Sequence, residues 1–172
     1  MDVEQFKRRE QLQRIPAMGC ALFRTTVALE SSAQQVPSDR LVMLHDHRPD
    51  EMPFLQLPDE NVENRWQFAE ETFAAEEAGF LEGLIPLPDE GLYILTDDIV
   101  LSEDPDDILL SRTLVMVGYD VRGGCILFPA RAEALSITFP DRGYRFESPD
   151  IFGNLEAVGF DVIEPPTSHA IH

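Results

Sequence analysis

The chain has 172 residues, of which 44% are hydrophobic, and it carries a formal net charge of −19. This length and composition suffice for one buried core, so we expect a single domain over residues 1–172. Strong negative charge repels phosphate backbones and anionic lipid surfaces, which argues against direct nucleic-acid or membrane binding. The sequence has neither an apolar run long enough to span a membrane nor a typical secretion signal, so we expect a cytoplasmic protein.

The chain begins with a segment of helical pattern. In residues 2–15, Asp2 can cap a helix, Gln5 can reach back to it, and Pro16 ends the pattern. Two segments rich in β-branched and aromatic residues follow at 19–29 and 40–47, and we expect both to be strands. The two cysteines, Cys20 and Cys125, lie in strand-like runs where free cysteine is usually a small buried hydrophobe, although a disulfide between them stays open.

The spacing of the apolar residues changes in the segment 59–84. Val62, Trp66, Ala69 and Phe73 recur at intervals of three and four, with glutamates between them. This spacing predicts an amphipathic acidic helix that is ended or kinked at Gly79, with 80–84 as a further short turn. A loop framed by Pro86, Pro88 and Gly91 then precedes a predicted strand at 92–95.

From residue 113 onward the pattern is that of antiparallel strands joined by tight turns. Glycine-containing turns at 122–124 and 140–143 separate apolar runs, because glycine supplies the positive φ that chain reversal requires. A brief helical turn at 150–158 and a last strand at 160–163 lead to a tail that we expect to be loose from about residue 165. The predicted fold class is therefore α+β: an antiparallel sheet, with the option of a barrel-like curl, an N-terminal helix and the acidic amphipathic helix.

The acidic residues are concentrated in one stretch of the chain. Between Asp59 and Asp107 there are sixteen carboxylates and a single basic residue, Arg65, which gives this stretch a formal charge of −15. Such a block is typical of a surface that attracts a basic protein. The candidate interaction residues are Glu63, Glu70, Glu71, Glu76, Glu77, Asp97, Asp98, Glu103, Asp104, Asp106 and Asp107.

Two simpler interpretations of this acidity remain open. Runs of charge are often only the solvated face of a helix with its neighbouring polar loops. Heavy acidity combined with one lysine against twelve arginines also fits a coding bias or a salty habitat that affects every protein of an organism. Neither interpretation requires a partner.

A second candidate site is the segment His45-Asp46-His47-Arg48-Pro49-Asp50-Glu51. Residues i and i+2 of a strand point to the same side, so His45 and His47 can reach one metal ion, with Glu51 as a third ligand. The spacing His-x-His-x-x-x-Glu resembles the first metal-binding motif of the cupin barrels, in which these residues hold a divalent metal. The chain lacks the glycines that bracket that motif, and Ala134 stands where the second motif has its fourth ligand.

The leading hypothesis is a non-catalytic acidic interaction protein, such as an inhibitor, an immunity-type protein or an adaptor, that binds a basic partner. It assigns no catalytic residue. The alternative is a small metal-dependent, cupin-like barrel enzyme with a divalent metal as cofactor. A further alternative is a structural subunit of a larger assembly. The chain contains no phosphate-binding glycine loop, nucleophile elbow, paired CxxC or HExxH motif that would indicate another chemistry.

Overall fold

The computed structural model describes residues 19–31, 34–46, 52–75, 78–102, 104, 107–133 and 136–159. Within these ranges the chain is mostly antiparallel β-structure with two short helices, α1 (Ala78–Glu82) and a 3-10 helix (Pro149–Asn154). The strands are β1 (Gly19–Thr25), β2 (Leu29–Ser31), β3 (Gln34–Val36), β4 (Leu41–Asp46), β5 (Phe54–Val62), β6 (Arg65–Ala74), β7 (Leu84–Pro86), β8 (Gly91–Leu95), β9 (Ile99–Val100), β10 (Ile108–Leu109), β11 (Leu114–Tyr119), β12 (Cys125–Pro129), β13 (Arg131–Glu133), β14 (Ser136–Thr138), β15 (Tyr144–Phe146) and β16 (Leu155–Ala157).

Two five-stranded sheets form the body of the described fold. The first has the order β6-β5-β4-β1-β7 and the second has the order β15-β12-β11-β8-β16. Three two-stranded ribbons, β2–β3, β9–β10 and β13–β14, accompany them. Neighbouring strands pair antiparallel, which confirms the predicted antiparallel sheet, but the strands form no closed barrel. The expected barrel-like curl is therefore wrong: each sheet ends in edge strands, and the two sheets pack face to face.

The first sheet is buried on both of its faces. Its inner face packs against the second sheet in what we call the inter-sheet core, which includes Leu22, Leu41, Val115, Val117 and Leu127. Its other face forms the outer core, which includes Phe23, Val42, Leu44, Leu55 and Phe73. The outer core is completed by ribbon β2–β3 and by helix α1, which contribute Leu29, Val36, Phe80 and Leu81.

The sequence of β4 explains why this sheet is central. Side chains of a strand alternate between faces, so a strand buried on one face shows apolar residues at every second position. In β4 the four residues Leu41 to Leu44 are all apolar, and they enter the inter-sheet core and the outer core in turn. A continuous apolar run of strand length is the pattern expected where both faces are covered.

The predicted acidic helix is wrong, because residues 54–74 form the hairpin of β5 and β6. Glu63 and Asn64 make its two-residue turn, and both have positive φ (52° and 63°), as a type I′ turn requires. Trp66 and Phe68 pack against the inter-sheet core, whereas Phe73 lies in the outer core. Of the four residues whose intervals resemble a helical period, only Trp66 and Phe73 pack in a core, and Val62 lies on the other strand of the hairpin and is exposed.

Several other expectations are confirmed and some lie outside the described residues. The strands expected at 19–29, 40–47, 92–95 and from 113 onward occur as β1, β4, β8, β11, β12, β14 and β15, whereas the helical turn expected at 150–158 is wrong for residues 155–157, which form β16. The turn before β12 uses Gly123 with φ of 75°. The N-terminal helix, the strand at 160–163 and the tail from 165 fall on residues that the structure does not describe. No helix within the described ranges has the length and apolar character that crossing a membrane requires.

Burial on both faces predicts that two adjacent residues of β1 both matter for stability. Leu22 is 4% exposed in the inter-sheet core and Phe23 is 0% exposed in the outer core. We expect Leu22→Ala to lower the free energy of unfolding by about 2–5 kcal/mol and Phe23→Ala by about 3–5 kcal/mol, as measured by urea denaturation. Val100→Ala, at a position that is 63% exposed, should change it by less than about 0.5 kcal/mol. A neutral effect of either β1 substitution would contradict the two-core arrangement.

Candidate functional site

The β5–β6 hairpin carries five exposed carboxylates. We call this group the acidic hairpin. Three of the predicted interaction residues belong to it: Glu63 lies in the turn, and Glu70 and Glu71 lie on β6 and not on the predicted helix. Its members are Asp59, Glu60, Glu63, Glu70 and Glu71, all of them exposed. Arg65 is the one basic residue between them.

A tryptophan fastens the acidic hairpin to the second sheet. The Trp66 indole Nε1 donates a hydrogen bond of 2.8 Å to the carbonyl oxygen of Tyr119, and the Trp66 backbone N–H donates one of 3.1 Å to Glu90 Oε2. The turn also approaches β11 closely, since a Cβ atom at Gly118 would lie 3.1 Å from the Asn64 carbonyl oxygen. These contacts anchor the turn end of the hairpin to the second sheet.

Two buried tyrosines fix the loop on which Glu90 lies. The Tyr119 hydroxyl donates to the Pro88 carbonyl at 2.7 Å, and the Tyr93 hydroxyl donates to the Asp89 carbonyl at 2.9 Å. Burial raises the pKa of Glu90, while the hydrogen bond from Trp66 and the charge of Arg65 act in the opposite direction. Burial also raises the pKa of both tyrosines, which therefore act as neutral donors.

A second acidic group follows β8 and surrounds the β9–β10 ribbon. It contains four of the predicted interaction residues, Asp97, Asp98, Asp104 and Asp107. Asp98 Oδ1 accepts a hydrogen bond of 2.7 Å from the Ser111 N–H, and Asp97 Oδ2 accepts one of 2.8 Å from the Thr96 hydroxyl. Asp98 and Asp97 thus shape this turn region. The remaining predicted interaction residues, Glu76, Glu77, Glu103 and Asp106, lie outside the described residues.

The two acidic groups lie at opposite ends of one strand. Glu90, which contacts the hairpin through Trp66, immediately precedes β8, whereas Asp97 and Asp98 follow its last residue. A five-residue strand spans about 17 Å. The acidic block of the sequence is therefore divided into two groups, one on the β5–β6 hairpin and one around the β9–β10 ribbon.

Two arginines elsewhere in the described fold, Arg24 and Arg145, are paired with carboxylates. Arg24 Nη2 lies 2.8 Å from Asp39 Oδ1, and Arg24 Nη1 lies 3.9 Å from Glu147 Oε2. Arg145 bonds Glu147 at 2.8 Å and also forms an ion pair with Asp120. This chain of ion pairs joins β1 of the first sheet to β15 of the second sheet and borders a shallow cleft. Exposed pairs of this kind contribute about 0.2–1 kcal/mol each.

The predicted metal ligands are only partly described. His47 and Glu51 lie outside the described residues, whereas His45 lies on β4 with its ring stacked on Phe54 at a centroid distance of 4.7 Å. His45 Nδ1 is 2.9 Å from Cys20 Sγ, and Nε2 is 2.6 Å from Gln56 Oε1. A metal on His45 would have to replace one of these contacts. In the described ranges no three histidine, cysteine or acidic side chains form a group able to hold a metal ion.

The two cysteines differ in environment. Cys125 is 1% exposed and lies in the inter-sheet core, and burial raises the pKa of its thiol to about 12, so the buried position expected for it is confirmed. Cys20 is exposed, which makes the same expectation wrong for that residue. The disulfide between Cys20 and Cys125 that the sequence left open is not formed.

Comparisons of the chain with family models, with curated proteins and with solved structures gave no match.

The raised pKa of Glu90 predicts a specific pH dependence of stability. A carboxyl group whose pKa is higher in the folded state binds its proton more tightly in that state. The free energy of unfolding therefore falls as the pH rises from the pKa of the unfolded state, about 4.3, through the pKa of the folded state. A glutamine side chain at position 90 would keep an acceptor for Trp66 and would have no charge to bury. We therefore expect Glu90→Gln to raise the Tm at pH 7 relative to the wild-type chain, and this advantage to shrink toward about pH 3.5.

The exposed Glu156→Gln substitution is the control for this measurement, because it also removes one carboxylate but from a solvated position. Its Tm difference from the wild-type chain should change little over the same pH range. A Glu90→Gln difference that stays constant with pH, or that grows on acidification, would contradict the assigned environment.

Proposed function

We propose that this chain is an interaction protein that binds a basic protein partner through the acidic hairpin. The observation that carries the proposal is the grouping of five exposed carboxylates on one hairpin with a single arginine between them. Positive side chains of a partner would be attracted to this group before contact, and the charge pairs would then fix its orientation. Inhibitors, immunity-type proteins and adaptors are the classes of protein that work in this way.

The position of the hairpin supports this proposal. β6 is the last strand of the first sheet, so its outer edge faces away from the other strands of that sheet. The contact of Trp66 with Glu90 anchors the backbone of the hairpin in advance, which reduces the entropy that binding would otherwise lose. The arginines of β1 and β15 already have carboxylate partners and thus compensate little of the hairpin's charge.

Charge on an edge strand also has a purely protective role, because it hinders other strands from pairing with the sheet. The two roles predict different results when Glu70 and Glu71 lose their charge. If the charges only protect the edge, neutral variants aggregate more readily but bind as before. If the hairpin is a docking surface, binding weakens even in protein that remains monomeric.

The proposal is tested with a synthetic arginine-rich peptide as the basic probe and isothermal titration calorimetry as the readout. We expect the dissociation constant to rise steeply with salt for the wild-type chain. In a triple variant the loss of three exposed charge pairs, at about 0.5 kcal/mol each, should weaken binding about tenfold. The triple variant is Glu63→Gln, Glu70→Gln and Glu71→Gln.

A control with the same change in net charge separates local from global electrostatics. It neutralises three exposed carboxylates outside the acidic stretch and should bind within about twofold of the wild-type chain. The control variant is Glu133→Gln, Asp141→Asn and Glu156→Gln. Equal weakening in both triple variants would show that only the total charge attracts the probe. Binding that is insensitive to salt would also contradict the proposal.

A further inference from the structure

Three polar side chains lie side by side on neighbouring strands of the first sheet. Cys20 on β1 is directly opposite His45 on β4, and Gln56 on β5 is diagonal to His45. Their contacts with one another place all three on the inner face of the sheet. Leu22 and Met43, the next residues on that face, pack in the inter-sheet core, so this group occupies the end of the face where Cys20 is exposed.

A chain of contacts connects these side chains in a fixed order. Cys20 Sγ is 2.9 Å from His45 Nδ1, and His45 Nε2 is 2.6 Å from Gln56 Oε1. Gln56 Nε2 donates to the carbonyl oxygen of Ala69 at 2.8 Å. A carbonyl oxygen can only accept, so the Gln56 amide nitrogen faces Ala69 and its oxygen faces the imidazole. His45 Nε2 therefore carries the ring proton, and Nδ1 directs its lone pair at the thiol.

The backbone irregularity of β6 provides the last contact of this chain. Gln56 pairs with Thr72 and Pro58 pairs with Phe68, so three residues of β6 lie opposite one residue of β5. This bulge includes Ala69, whose carbonyl accepts from the Gln56 side chain. Bulges that redirect groups are common next to functional sites. The ring of Phe54, stacked on His45 with an interplanar angle of 13°, restrains the imidazole from one face.

From this geometry we propose that Cys20 is a nucleophilic thiol, with His45 as its general base and Gln56 as a positioning residue. An exposed nucleophile, a base within hydrogen-bond distance and a third group that orients the base are the arrangement that activates thiols for acyl transfer. Carboxylic esters and thioesters are the substrate class that this chemistry accepts. The proposal is independent of the acidic hairpin's binding function, because it uses none of the hairpin carboxylates.

The reaction with an ester proceeds in two balanced steps. His45 Nδ1 takes the thiol proton as Cys20 Sγ attacks the carbonyl carbon, so that an S–C bond forms. The C–O bond to the leaving group then breaks, and the proton on Nδ1 passes to the leaving oxygen. Water hydrolyses the resulting thioester when His45 accepts a proton from it, and the released thiolate regains that proton.

The test uses p-nitrophenyl acetate as the acyl donor and two readouts, release of p-nitrophenol and the position of the acetyl group by peptide mass spectrometry. We expect acetylation of Cys20 and not of Cys125, which is 1% exposed and serves as the internal control. The rate constant for the wild-type chain should exceed that of a synthetic peptide GCALFRT, which contains the same cysteine in an unfolded chain. His45→Asn should lower the rate at least about a hundredfold.

The positioning role of Gln56 is tested with two substitutions whose side chains are similar in length to glutamine. Gln56→Met removes the acceptor for His45 Nε2 and should lower the acylation rate about tenfold or more, whereas Gln56→Glu keeps an acceptor and should restore most of it. A role limited to folding would affect both variants alike, and thermal unfolding of each variant checks that the fold is retained. A wild-type rate equal to that of the peptide would overturn the proposal, as would a folded His45→Asn variant that reacts as fast as the wild-type chain.

Discussion

The constraint on which the described structure depends is the burial of the first sheet on both faces. A sheet with one solvated face needs apolar residues only at alternate positions, but β1 and β4 carry them at consecutive ones, such as Leu22 with Phe23. Each of these side chains contributes about 1.5–3 kcal/mol when fully buried. Both faces must therefore be covered, one by the second sheet and the other by ribbon β2–β3 with helix α1.

Both candidate sites lie where the faces of the first sheet are no longer covered by other elements. β6 is the edge strand of the first sheet, and its solvated positions carry the carboxylates of the acidic hairpin. Cys20, His45 and Gln56 lie on the inner face of the same sheet, at the end of the strands. The bulge in β6 connects the two sites, because it contains both the carbonyl of Ala69 and the exposed pair Glu70 and Glu71. One irregularity in one strand thus contributes residues to both candidate sites.

The parts of the fold that could be predicted from sequence are those that local rules determine. The glycine turn at 122–124 and the apolar runs predict β1, β4, β11, β12 and β15, whereas β16 lies within the segment 150–158 that the sequence predicts as a helical turn. The hairpin of β5 and β6 differs from the predicted helix because its apolar residues recur at intervals of three and four. Periodicity cannot distinguish that pattern from a helix, and the turn residues Glu63 and Asn64 are not the usual Asn-Gly pair.

The candidate sites could be predicted only in part, because contacts between residues distant along the chain form them. The acidic block is visible as composition, but its division into two groups depends on the direction of β8. The sequence marks His45 as a candidate metal ligand, yet its contacts with Cys20 and Gln56 join residues 25 and 11 positions away along the chain. Only the antiparallel register brings them together. The sequence does not mark Glu90, because its hydrogen bond from the Trp66 N–H joins residues 24 positions apart.

Native-state hydrogen exchange of backbone amides tests the two-face burial of the first sheet most directly. Amides of the inner strands β1 and β4 should exchange only through global unfolding, with free energies of opening equal to the free energy of unfolding from denaturant titration. Amides of the edge strand β6 that point away from β5 should exchange much faster. Rapid exchange throughout β1 and β4, with slower exchange in β6, would contradict the account.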